Sequence, residues 1–125
     1  MLQNERGKLS SEVGAASFER PIDLVHLARQ TLGDRSLEQE ILSLYLKQSQ
    51  TLLKSIEDSM DARQRAEYAH TLKGSSRAVG AWHVASAAEA VEIEPPVSDA
   101  SRAIDALRTC VRAACDTISE LQRPN

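Results

Sequence analysis

The sequence predicts an all-α fold, an antiparallel up-down four-helix bundle with a short additional N-terminal helix. Three observations lead there. Apolar residues recur at steps of three and four along the chain, and no segment shows the alternation of a strand. Only Phe18, Tyr45, Tyr68 and Trp82 are aromatic, so the core must be built from Leu, Ile, Val and Ala, which suits helices better than sheets. Five Gly and four Pro in 125 residues leave few turn sites, so the elements should be few and long. Short connections between long amphipathic helices imply antiparallel neighbours.

The elements follow in order. Residues 1–19 show no sustained periodicity and read as a disordered N-terminal tail, leaving 20–122 as the folded domain. Pro21 is expected to start a short helix over 21–32, with Ile22, Val25, Ala28 and Leu32 inward and Gly33 ending it. Ser36 and Gln39 form a candidate capping box for a helix over 36–58, with Leu37, Ile41, Leu44, Tyr45, Leu52 and Ile56 at helical spacing. Asp61 is the expected N-cap of a third helix that ends at Val79, before Gly80. A fourth helix covers 81–93, with Val84, Ala87, Ala88 and Val91 on one side, and Glu94-Pro95-Pro96 stops it. In the last helix Ala100, Ile104, Leu107, Val111, Ala114, Ile118 and Leu121 form one apolar stripe.

Composition narrows the class of function. A net charge of −3 is of the wrong sign for general nucleic-acid binding, and no apolar run approaches membrane-spanning length. The first twenty residues mix charges with Gly and Ser and lack the apolar core of a secretory signal. Cys110 and Cys115 fall on one predicted helix but on different faces, which argues against a disulfide between them. A reducing, cytoplasmic location is expected. No HxxxH or CxxC pattern exists, so no metal site is expected, and His26 and His83 read as structural residues. Trp82 is expected to cap the bundle end, and Ser75 and Ser76 to be small packing residues.

Chemistry concentrates in Ala69-His70-Thr71-Leu72-Lys73-Gly74-Ser75-Ser76. Tyr68, Leu72, Ser75 and Val79 follow 4-3-4 spacing and give the third helix its expected inner stripe. Leu72 and Val79 lie about 200° and about 180° around the helix from His70, which turns the imidazole to solvent. Arg63, Glu67, Lys73, Gly74 and Arg77 are its expected outer-face neighbours. A mid-helix glycine costs about 1 kcal/mol relative to alanine, so Gly74 reads as clearance for another protein approaching His70. Lys73 can neutralise phosphate oxygens through charge-assisted hydrogen bonds, and Arg77 can add a second positive charge. An exposed imidazole, largely neutral near pH 7, beside such cations suits phosphoryl transfer, in which catalysis is mostly positioning and charge stabilisation.

His70-Thr71-Leu72-Lys73-Gly74, followed by Gly80, resembles the His-x-Leu-Lys-Gly signature of histidine-containing phosphotransfer (HPt) domains. Ile22-Asp23 opens the domain as such domains often open, and the resemblance covers about residues 21–121. It implies a four-helix bundle whose exposed histidine, here His70, carries a phosphoryl group. It assigns Lys73 and Gly74 to the phosphate and to the approach of a partner. The implied partners are receiver domains of response regulators or hybrid histidine kinases, which supply the aspartate and Mg²⁺. The domain itself has no cofactor and no kinase activity. In similar proteins a polar residue of the following helix bonds the second imidazole nitrogen, and the matching position is Glu92. An antiparallel hairpin puts His70 and Glu92 about 15 and about 18 Å from the turn at Gly80, hence side by side.

Two other readings belong to different classes. A helical adaptor could bind a receiver or another protein without carrying phosphate, although it would have no need of His70. A dimerising phosphotransferase would need a second apolar stripe and a further domain. A monomer is expected.

Overall fold

The computed structural model describes residues 20–124. The expected tail over residues 1–19 lies outside the described residues, apart from its junction at Arg20. The described residues form five helices: α1 (Leu24–Gln30), α2 (Arg35–Asp58), α3 (Ala62–Val79), α4 (Trp82–Glu92) and α5 (Ser101–Leu121). Each of α2 to α5 packs on the next, and α5 packs back on α2, which closes an up-down four-helix bundle; α1 lies against α3. The expected fold class is borne out.

Helix ends follow local hydrogen-bond chemistry. α1 is shorter than the expected 21–32 at both ends. Asp23 is its N-cap and accepts a hydrogen bond from the His26 amide, so Pro21 and Ile22 precede the helix. Leu32 takes a left-handed backbone at φ 53°, which no helix continues, and it is 94% exposed instead of inward. Ile22 and Leu27 supply the buried apolar side chains of this region, while Val25 faces solvent. For α2 the cap is Asp34, bonded to the Leu37 amide, in place of the expected box of Ser36 and Gln39. Asp61 caps α3 as expected, accepting from the Arg63 amide.

Gly80 ends α3 at φ 81°, and its amide and that of Ala81 bond back to the Arg77 and Ser76 carbonyls. A β-carbon at Gly80 would lie 2.9 Å from the Asp23 carbonyl oxygen, so the turn needs glycine for conformation and for space. The Asp23 amide in turn donates to the Gly80 carbonyl at 2.9 Å. Trp82 donates its indole N–H to Asp23 Oδ2 at 2.9 Å and meets the His26 ring edge-on, with centroids 4.9 Å apart. This latch fastens α1 over the α3–α4 turn.

The core joins Leu42, Tyr45 and Ile56 of α2, Ala69, Leu72 and Val79 of α3, Val84, Ala88 and Val91 of α4, and Leu107, Val111 and Ile118 of α5. Two expected core positions of α2, Leu37 and Leu44, are exposed, and Ile41 and Leu52 are only half-buried. Ser49 is buried instead, with its hydroxyl 3.7 Å from Cys115 Sγ. Ala87 of α4 is half-buried, and Ala85 takes the buried place. Cys110 and Cys115 are free thiols, and burial pushes both up from the usual thiol range. Arg108 clamps α5 to the end of α2 through Glu57 Oε2 at 2.7 Å. Among the described residues no helix is long and apolar enough to cross a membrane.

Candidate functional site

α3 buries Arg65, Ala69, Leu72, Ser76 and Val79. The expected inner stripe is therefore half right. Leu72 and Val79 are inward, but Tyr68 and Ser75 are only half-buried and Ala69 and Ser76 take the places against the bundle. The rotation has a physical cause. Ser76 Oγ and Tyr45 Oη share a buried hydrogen bond of 2.7 Å, and Ala69 and Ser76 are both fully buried. Leu72 still lies opposite His70, and the His70 side chain is 68% exposed.

Glu92 ends α4, and the α3–α4 hairpin brings it beside His70. Its Oε2 lies 2.7 Å from His70 Nδ1, and its Oε1 lies 2.6 Å from Lys73 Nζ. One carboxylate thus bridges the imidazole and the ammonium. The Lys73 hydrogen bond holds the Glu92 carboxyl below the usual carboxylate range; burial opposes it, and the His70 hydrogen bond adds to it. An ionised carboxylate only accepts hydrogen bonds, so His70 donates from Nδ1 to Glu92, and Nε2 is the ring nitrogen left outside this contact.

Lys73 is not the outer-face residue expected from its spacing. Its side chain is 14% exposed, because three residues of helical rotation carry it from His70 towards α4 and its stem lies against that surface. Arg77 stands apart from this cluster, paired with Glu89 at 3.8 Å across the hairpin. Arg63 pairs with Glu67 on its own helix at 3.5 Å. Gly74 is exposed, and a β-carbon there would meet nothing within 4 Å. A shallow open hollow beside the imidazole is lined by Arg63, Ala66, Glu67, His70, Thr71 and Glu92.

The Glu92–Lys73 ion pair went unread in the sequence, since pairs across helices leave no local spacing signal. Arg65 went unread as well. It is buried and donates to the Ser98 carbonyl at 3.2 Å, which ties α3 to the segment that follows α4. Among the described residues no group of three or more His, Cys, Asp or Glu could hold a metal ion.

A family model, the Hpt domain, matches residues 40–117. The chain belongs to the Hpt domain family. No curated protein and no solved structure matches it. Membership bears out the resemblance drawn from the His70 segment, and it places the protein in histidine phosphotransfer within two-component phosphorelays. Receiver domains and histidine kinases are the partners of Hpt domains in general.

Proposed function

We propose that this Hpt protein relays a phosphoryl group between receiver-domain aspartates and Nε2 of His70. The observation that carries the reading is the Glu92 bridge, which ties Nδ1 of an exposed imidazole to a carboxylate and leaves Nε2 free to attack. In the charging step Nε2 attacks the phosphorus of an aspartyl phosphate in line. The N–P bond forms, the P–O bond breaks, and its electron pair returns to the aspartate. The reverse step returns the electron pair of the N–P bond to Nε2, and imidazole leaves neutral because Nδ1 keeps its proton. No proton need move in either direction.

Glu92 holds the ring in this tautomer, and Lys73, ion-paired to the same carboxylate, is the cation offered to the incoming phosphate. Gly74 leaves space for the partner's surface, and Arg77 contributes a more distant positive charge at its rim. The receiver domain, of a response regulator or a hybrid kinase, brings the aspartate and its Mg²⁺. The chain needs no cofactor of its own and has no kinase activity. It acts as a cytoplasmic monomer and engages neither nucleic acid nor membrane.

The test uses a receiver domain carrying radiolabelled aspartyl phosphate, mixed with the purified chain. The chain should acquire label that acid removes and alkali does not, and His70→Gln should acquire none. Undiminished labelling of His70→Gln would show that the phosphoacceptor lies elsewhere.

A further inference from the structure

We propose that Glu92 makes the phosphoryl group on His70 quick to leave, by competing with it for Lys73 and by keeping Nδ1 protonated. The inference rests on the reading of His70 as phosphoacceptor and extends it to how long the group is held.

The ion pairs around the imidazole leave little positive charge uncommitted. Lys73 lies 2.6 Å from Glu92, Arg77 pairs with Glu89, and Arg63 pairs with Glu67. A phosphoryl group brings up to about two negative charges to this surface. If Lys73 stays on Glu92, the phosphate has no strong counter-charge from its own chain. If Lys73 moves to the phosphate, the Glu92 carboxylate loses its closest cation and faces a second anion across one imidazole ring. Either arrangement raises the energy of the phosphorylated state.

The same carboxylate acts on the leaving group. While it accepts the Nδ1–H hydrogen bond, the phosphorylated ring stays protonated; as water or a carboxylate oxygen forms a bond to phosphorus, the N–P electron pair returns to Nε2 and neutral imidazole leaves. A neutral amide in its place would accept the same hydrogen bond through its carbonyl oxygen. It would neither compete for Lys73 nor stabilise the protonated ring by charge. Glutamine at position 92 therefore separates charge from hydrogen bonding. The side chain is at the end of α4 and 23% exposed, so the change leaves the core intact.

The experiment compares the parent chain, Glu92→Gln, Lys73→Gln and the double variant. Each is charged by a phosphorylated receiver, or by phosphoramidate, whose N–P bond breaks to release ammonia. Each is then freed of donor, and loss of phosphohistidine is followed by ³¹P NMR near neutral pH. Phospho-Glu92→Gln should persist about fivefold longer than the parent, the scale on which one partly exposed ion pair acts. On the Lys73→Gln background the same substitution should lengthen the lifetime by less. Equal or shorter lifetimes for Glu92→Gln, or its failure to charge while the parent charges, would overturn the inference alone. A lengthening undiminished without Lys73 would overturn the competition. A parent chain that forms no phosphohistidine from either donor would overturn the phosphotransfer reading and this inference with it.

Discussion

At Gly74 the helix accepts a conformational cost that packing within the chain does not require. A methyl group there would touch nothing within 4 Å, and the residue lies on the exposed face one turn beyond His70. Gly74→Ala should therefore raise the free energy of unfolding by about 1 kcal/mol, measured by urea titration. Gly74→Gln should also stay folded, but receive phosphate from a receiver more slowly. A Gly74→Gln chain as fast as the parent would remove clearance as the reason for the glycine. Residue-scale inference worked for the orientation of His70, because a single buried stripe decides which way a helical side chain points. It failed for Lys73, because a long side chain chooses among partners within its reach, and here the partner sits on another helix.

Between elements, the seating of α3 on α2 depends on a buried polar contact. Tyr45 Oη and Ser76 Oγ lie 2.7 Å apart, and neither residue is more than 2% exposed. Burial raises the Tyr45 phenol well above its usual range, the Ser76 hydrogen bond opposing this, so the group stays neutral. Tyr45→Phe removes one partner and leaves the serine hydroxyl buried, at a cost of about 1–2 kcal/mol. The double variant Tyr45→Phe with Ser76→Ala should be less destabilised than the sum of the single variants, since no orphaned hydroxyl remains. Strict additivity in urea midpoints would refute the coupling. Helix existence was legible from spacing, and so was the span of α3. The facing of α3 was misjudged because Ser75 and Ser76 are chemically identical, and only the position of Tyr45 selects which of them turns inward.

For the whole molecule, the latch around Asp23 links the chain's first described helix to the hairpin that carries the site. Burial pushes the Asp23 carboxyl up, but the Trp82 indole N–H, the His26 and Val25 amides and the nearby His26 outweigh it and hold the carboxyl below its usual range. A lowered folded value means stabilisation that is fully present above the unfolded value of about 3.9 and is lost as pH falls through the folded one. Asp23→Asn keeps a capping side chain but loses the charge. It should lower stability by about 1 kcal/mol near neutral pH, with the gap closing as pH falls below about 3.9. Urea midpoints that differ equally from about pH 6 to about pH 2 would contradict this origin of the stability.

The sequence by itself determined the all-α class, the four long helices, the stop at Gly80 and the outward direction of His70. Each is encoded over a few neighbouring residues, through apolar periodicity or the special backbone of glycine. It also carried enough of a signature in His70-Thr71-Leu72-Lys73-Gly74 to suggest the family. Tertiary structure alone decided that Lys73 turns to Glu92, that Ser76 and not Ser75 is buried, and that Asp23 is held by Trp82. Those partners are separated by nineteen or more positions. No local preference encodes such contacts, which exist only after the helices dock and exclude water.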